Sequence, residues 1–238
     1  MIELKNVTKR FGDKVAVQEM NLEIPSGSIT GFIGPNGAGK TTTINMMTGV
    51  LRPDSGQILL NGIDLEKNPL EAKKQFVVVP DSPDLFLRLT GREYCELMSK
   101  VYEVDPTVAQ ERIQQLVEEF DLVSAFDDQI NSYSHGMRQK VIVIGALVAQ
   151  PDIWFLDEPM TGLDPNASYL LKERMRKQAQ MGKTVFFSTH VLEVAEKLCD
   201  KIVLINKGQI IYEGSLEELK DRHEGLSLEE IFLQEINK

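Results

Sequence analysis

Gly34-Pro35-Asn36-Gly37-Ala38-Gly39-Lys40-Thr41 decides the fold of this 238-residue chain. The stretch has the spacing G-x-x-x-x-G-K-[ST], and it stands between a strand-like run, SITGFIG, and a helix-like run reaching about Gly49. Phosphate oxygens need several backbone N–H donors at close range. Glycines let the backbone approach and turn with positive φ, and the start of the following helix adds partial positive charge. Lys40 would reach the β- and γ-phosphates, and the Thr41 hydroxyl would ligate Mg²⁺. The four fixed positions match by chance on the order of once in a hundred such sequences, so the strand–turn–helix setting carries the reading. The candidate nucleotide-binding set is Gly34, Pro35, Asn36, Gly37, Ala38, Gly39, Lys40, Thr41 and Thr42.

Upstream of the loop, residues 2–33 read as short strands broken by turns at Phe11-Gly12-Asp13 and Pro25-Ser26-Gly27. Downstream, 56–62 reads as a hairpin arm and 76–80 as a buried strand. From Leu85 to about Ala149 the pattern turns helical. Thr90…Glu93 fits a capping box, Asp105-Pro106 fits an N-cap followed by a first-turn proline, and a third helix starts near Ser134. Strands and helices then alternate: DIWFLD, a helix over 166–181, TVFFST, a helix over 191–199, KIVLIN and QIIYEG. Two more capping boxes, Ser215…Glu218 and Ser227…Glu230, predict two short helices at the end. Such alternation predicts a parallel sheet covered on both faces. The expected class is α/β, a core carrying the phosphate loop with an all-helical insertion near 85–150.

Asp152-Ile-Trp-Phe-Leu-Asp157-Glu158 is an apolar strand ending in two carboxylates. Beside a phosphate loop, Asp157 at the strand's carboxyl end is placed to hold Mg²⁺ through water. Glu158, one residue on, could polarise an attacking water as general base. Taken without the loop, the same pattern describes a solvated strand end. A GTPase needs an N-K-x-D guanine reader, and Asn206-Lys207-Gly208-Gln209 lacks the acid. A small-molecule kinase is not expected to place a Glu directly after the metal Asp, so ATP hydrolysis remains, with adenine held by something non-specific such as aromatic stacking. Phe11 is a candidate for that stacking, although an isolated Phe is more often core.

The net charge of −10 is unevenly spread. Residues 101–130 hold eight acids and one base, 213–238 hold eight acids and three bases, and the remaining 182 residues are close to balance. A broad phosphate-backbone contact with nucleic acid needs clustered Lys and Arg, which this balance argues against. Cys95 and Cys199 lie far apart with no CxxC or Cys/His cluster, which fits two free buried thiols and neither a disulfide framework nor a zinc site. The start MIELKNVTKR has no apolar signal region, and the longest apolar run, Val141–Ala149, is about half of the ~18–20 residues a spanning helix needs. The chain is therefore expected in the cytoplasm.

Taken in order, Gly34–Thr41, Ser134-His135-Gly136-Met137-Arg138-Gln139, Asp157-Glu158, Gly162-Leu163-Asp164-Pro165 and Ser188-Thr189-His190 resemble the ATP-binding-cassette (ABC) ATPases over about residues 1–220. The resemblance implies an α/β P-loop NTPase with a RecA-like parallel sheet core, an N-terminal antiparallel β subdomain and an inserted α-helical subdomain: one ATPase domain over 1–220, with the helical insertion at about 85–150, and a helical tail over 221–238. It also implies a head-to-tail dimer, a homodimer or a paired cassette, with two ATP molecules between the protomers. On that pattern Ser134 and Gly136 would contact the γ-phosphate in trans, His190 would contact it in cis, and Asp164 would link the two sites. Alone, a His after an apolar strand reads as structural. Two departures stand out. The signature is Tyr133-Ser134-His135-Gly136-Met137 where the family usually has Leu-Ser-Gly-Gly-Gln, so His135 adds bulk and a titratable ring. Asp81 aligns where the family usually places a Gln that touches Mg²⁺ and couples to the membrane partner.

Catalysis is thus expected from Glu158, His190 and Lys40, metal binding from Thr41, Asp157 and Asp81, and nucleotide binding from the loop with Phe11, Ser134, Gly136 and Asp164. Two functions fit this set. One is the energising subunit of a transporter, peripheral on the inner face of the cell membrane through separate transmembrane permease subunits. Single-cassette length and the tail SLEEIFLQEINK resemble ATPases of ABC-2-type exporters. The other is a soluble ATP-driven switch in cofactor assembly or on nucleic acid; there the usual marks are two fused cassettes or long coiled-coil insertions, which this chain lacks. The acidic helical segment 101–130 reads as a solvated surface, or as a face for basic loops of the permease through Glu118, Glu119 and Asp121.

Overall fold

The computed structural model describes residues 1–223 and 225–236, and all of the following refers to these. Two sheets form. The first, of four strands, has the order β2 (Lys14–Ile24), β1 (Ile2–Phe11), β4 (Ser55–Leu60), β5 (Ile63–Asp64), all antiparallel. The second, of six strands, has the order β10 (Gln209–Gly214), β9 (Lys201–Asn206), β3 (Ile29–Ile33), β8 (Thr184–Thr189), β7 (Ile153–Asp157), β6 (Phe76–Val79). Five of its strands run parallel, and β10 pairs antiparallel with β9 at the edge. The last strand therefore departs from the expected all-parallel pattern. The turn Asn206–Gln209 is too short for a crossover, so β10 folds back as a hairpin.

The central strands are apolar without alternation because both faces are covered. Ile153, Phe155 and Phe186 face one core with the antiparallel sheet and α1 (Lys40–Met47), while Trp154, Leu156, Val185 and Phe187 face the other. On the first face Phe186 meets Phe32 at 5.2 Å and Phe155 at 6.1 Å between ring centroids, one pair tilted and the other edge-on. On the second lie α5 (His135–Ala149) and α6 (Pro165–Gln180). Every residue from Val141 to Ala149 is buried, the expectation for a helix apolar all round.

Segment 85–150 carries α3 (Gly91–Val101), α4 (Pro106–Glu119) and α5, with short 3₁₀ turns at Val123–Ala125 and Ile130–Ser132. Their starts follow the sequence signals. Thr90 and Glu93 exchange side-chain and backbone bonds at 3.1 and 2.8 Å, Asp105 accepts from Thr107 and Val108, and Ser134 accepts from Met137. A five-residue helix, α2 (Pro69–Lys73), has no counterpart among those signals. After α7 (Leu192–Leu198) and the β9–β10 hairpin come α8 (Leu216–Asp221) and α9 (Leu228–Ile236). Leu219, Leu228 and Ile231 form a third apolar cluster with Ile33, Ala195, Ile202 and Leu204. No helix among the described residues is long and apolar enough to cross a membrane.

Candidate functional site

Strand order builds the site. β8 lies between β3 and β7, so the carboxyl ends of these three neighbours deliver the phosphate loop, His190 and Asp157-Glu158 to one edge of the sheet. The loop itself is shaped by its glycines. Gly37 and Gly39 adopt φ of +80° and +111°, and a Cβ at Gly39 would lie 2.7 Å from the carbonyl oxygen of Ala16. The backing comes from far along the chain: Gly208 N–H donates to the Ala38 carbonyl at 2.8 Å, and its own carbonyl accepts from Gln18 N–H at 3.0 Å.

A cleft of about 280 Å³ lies over the loop. Phe11, Pro35, Asn36, Gly37, Gly39, Lys40, Thr41, Thr42, Asp81 and Glu158 line it, joined by Lys14 and Ala16, which the sequence did not single out. Gly34 and Ala38 are buried behind it. Phe11 is no core residue: it is 51% exposed at the rim of the cleft, with the Lys9 ammonium over its ring, 5.7 Å from the centroid. Larger clefts exist, one of about 750 Å³ between α3 and α4, but they lie away from the phosphate loop.

Lys40 is almost fully buried, its ammonium donating to the Gly34 carbonyl at 2.7 Å and lying 3.8 Å from Glu158 Oε1. Glu158 Oε1 also lies 3.0 Å from His190 Nδ1, and His190 N–H donates to Glu158 Oε2 at 3.4 Å. Glu158 takes a left-handed backbone (φ +47°), the strain that a carboxylate turned out of a strand end costs. Ser188 braces the pair. Its hydroxyl accepts from Glu158 N–H at 3.1 Å and donates to the buried Asp157 carboxylate. Ser188 sits inside the quoted Ser-Thr-His stretch, but nothing in the sequence tells that its side chain turns towards β7.

Thr41, Asp81 and Asp157 offer a hydroxyl and carboxylates, a hard oxygen donor set of the kind Mg²⁺ takes together with waters and phosphate oxygens. The residues present therefore fit the ion. Ser134, Gly136 and Asp164 do not line the cleft. They lie together elsewhere, at the start of α5 and the turn before α6. Ser134 and Asp164 cap these helices, and a Cβ at Gly136 would lie 2.7 Å from the Gly162 carbonyl oxygen. Lys140, absent from the sequence reading, pairs with Asp164 at 2.7 Å. That ammonium, with the Ala167 N–H, holds the Asp164 carboxyl below its ordinary pKa.

Comparison with known proteins places the chain in a family. The ABC transporter family profile matches residues 17–161. The chain is 34% identical to the ABC transporter ATP-binding protein NatA of Bacillus subtilis (99% of this chain, 98% of that protein). It is 36% identical to the Nod factor export ATP-binding protein I of Cupriavidus metallidurans (99% and 78%). Among solved structures, an ATP-binding subunit of an ABC transporter superposes with a TM-score of 0.94 at 31% identity, covering 99% of both chains. A dimeric ATP-binding cassette in a post-hydrolysis state with ADP and Pi superposes at 0.81 with 25% identity, covering 91% of this chain and 99% of that one. The chain belongs to the ABC transporter family, as an ATP-binding and ATP-hydrolysing cassette.

Proposed function

We propose that this cassette energises an ABC-2-type exporter by closing head-to-tail around ATP and reopening on hydrolysis, docked on separate transmembrane permease subunits at the inner face of the cell membrane. In support, several similar proteins are named export ATP-binding proteins, and a similar cassette was solved as a dimer. Residues 1–220 act in this reading as the ATPase domain, with a helical insertion at about 85–150 and a tail over 221–238.

The chemistry rests on one observation: Glu158 Oε1 lies within 3.0 Å of His190 Nδ1 and 3.8 Å of Lys40 Nζ at the mouth of the phosphate loop. Glu158 takes the proton of the attacking water, held in orientation by His190. Lys40 and the loop N–H groups stabilise the charge gathering on the β- and γ-phosphate oxygens. Phe11 offers its exposed ring to adenine, which needs no base-specific reader. Thr41, Asp157 and Asp81 would hold Mg²⁺, which when bound neutralises phosphate charge. Ser134 and Gly136 serve the partner's γ-phosphate, and Asp164 links the two sites across the interface.

Glu158→Gln keeps the shape of the site and removes the base. It is expected to bind ATP, lose about 10²–10⁴-fold in turnover, and accumulate an ATP-dependent dimer on gel filtration. Hydrolysis at near wild-type rate would refute the assignment of the base.

A further inference from the structure

The first two turns of α5 present His135, Gly136, Gln139 and Lys140 on one side, at i, i+1, i+4 and i+5. All four meet the same short stretch of their own chain. His135 lies against Gly162, where a Cβ would come 2.8 Å from its Nε2 and closer still to its Cδ2. Gly136 sits so close to the Gly162 carbonyl that only a hydrogen fits between. Buried Gln139 donates to the Pro159 carbonyl at 3.5 Å, and Lys140 pairs with Asp164. That stretch, 159–164, grows directly out of Glu158: Thr161 N–H donates to the Glu158 carbonyl at 3.0 Å. Gly162 itself has φ +79°, so the turn depends on glycine for its backbone and for its room.

We infer that His135 is a positioning residue for hydrolysis in cis, its ring packed on Gly162 to splint the turn that sets the backbone of Glu158. His135 is exposed, yet its imidazole rests on Gly162 of its own chain, so it acts by shape on the turn that leads back to Glu158. Without the ring, the Gly162 turn gains room to shift. The strained backbone of Glu158 shifts with it, because the Glu158 carbonyl is tied to the N–H of Thr161 next to Gly162. This inference rests on the reading of Glu158 as the base.

The test compares purified full-length variants. His135→Gly is expected to lower kcat about tenfold or more with KM for ATP within about twofold of wild type, since a small misplacement of a catalytic group costs rate. His135→Phe, which keeps a planar ring over Gly162, is expected to restore most of that kcat. Gly162→Ala, which collides with the ring, is expected to be less harmful when combined with His135→Gly than the two single effects predict. Placed in the Glu158→Gln background, His135→Gly should still form the ATP-dependent dimer. Circular dichroism and thermal unfolding check that each variant is folded.

Wild-type kcat in His135→Gly overturns the inference, as does a His135→Phe variant no better than His135→Gly. Loss of the dimer in the double variant also overturns it, by showing a direct role at the partner's nucleotide. Full activity in Glu158→Gln alone removes the base and this inference together. An inactive Glu158→Gln beside a fully active His135→Gly removes only the inference.

Discussion

At Gly34 an added Cβ would lie 2.5 Å from the carbonyl oxygen of Ile205, a backbone atom with no rotamer to yield. At Gly37 nothing lies within 4 Å, and only the positive φ of +80° resists a side chain. Both glycines belong to the same motif, yet they do different work. Gly34→Ala is expected to lower stability by about 1–3 kcal/mol through overpacking, and Gly37→Ala by about 1 kcal/mol through backbone strain. Thermal unfolding without nucleotide separates the two, because binding does not enter; equal midpoints would contradict the packing argument. Residue identity made the loop, Asp157 and Glu158 legible in the sequence, since their chemistry is carried by type and spacing. Ser188 and Lys140 were not legible. A Ser in a strand and a Lys in a helix acquire meaning only from what tertiary structure places opposite them.

The β4–β5 hairpin shows the same division among elements. Asp64 accepts from Gln57 Nε2 at 2.6 Å and from the N–H groups of Glu66 and Lys67, and the Gln57 bond leads in pulling its pKa down to about 2. A lowered carboxylate stabilises the fold above its ordinary pKa, and that contribution is lost as pH falls from about 4 towards 2. Gln57→Leu is therefore expected to destabilise the protein at pH 6 and much less near pH 2.5. Urea unfolding at the two values checks it; a penalty independent of pH would point to packing instead. Capping boxes at Thr90, Ser215 and Ser227 made helix starts readable, because four residues suffice to satisfy the free N–H groups. Helix α2 escaped because five residues span barely more than one turn, too few for a periodic pattern, and Asn68 makes no side-chain cap bond. The edge strand β10 was readable as a strand, but its direction is decided by loop length and pairing.

Across the whole molecule, the acidic segment 101–130 holds a tied carboxylate beside exposed ones. Glu119 is bound by Arg174 of α6 and accepts from Gln115 Nε2 at 2.6 Å, so it ties α4 to the sheet-covering helix and is no free charge for a partner. That corrects the reading of Glu118, Glu119 and Asp121 as one docking face. Glu119→Lys is expected to cost about 1–2 kcal/mol in the isolated chain, whereas reversing exposed Glu111, Glu118 and Asp121 leaves the unfolding midpoint nearly unchanged. A triple variant that unfolds as readily as Glu119→Lys would deny the distinction. The fold class was legible because strand–helix alternation and the phosphate loop agree; the position of Ser134, Gly136 and Asp164 away from the cleft required the assembled chain. The carbonyl of Ala38, inside the phosphate loop, is held by the N–H of Gly208, in a turn near the other end of the chain. A ribosome releases the loop early and its brace late, so a nascent chain carries the nucleotide motif for most of translation without the means to hold it in shape.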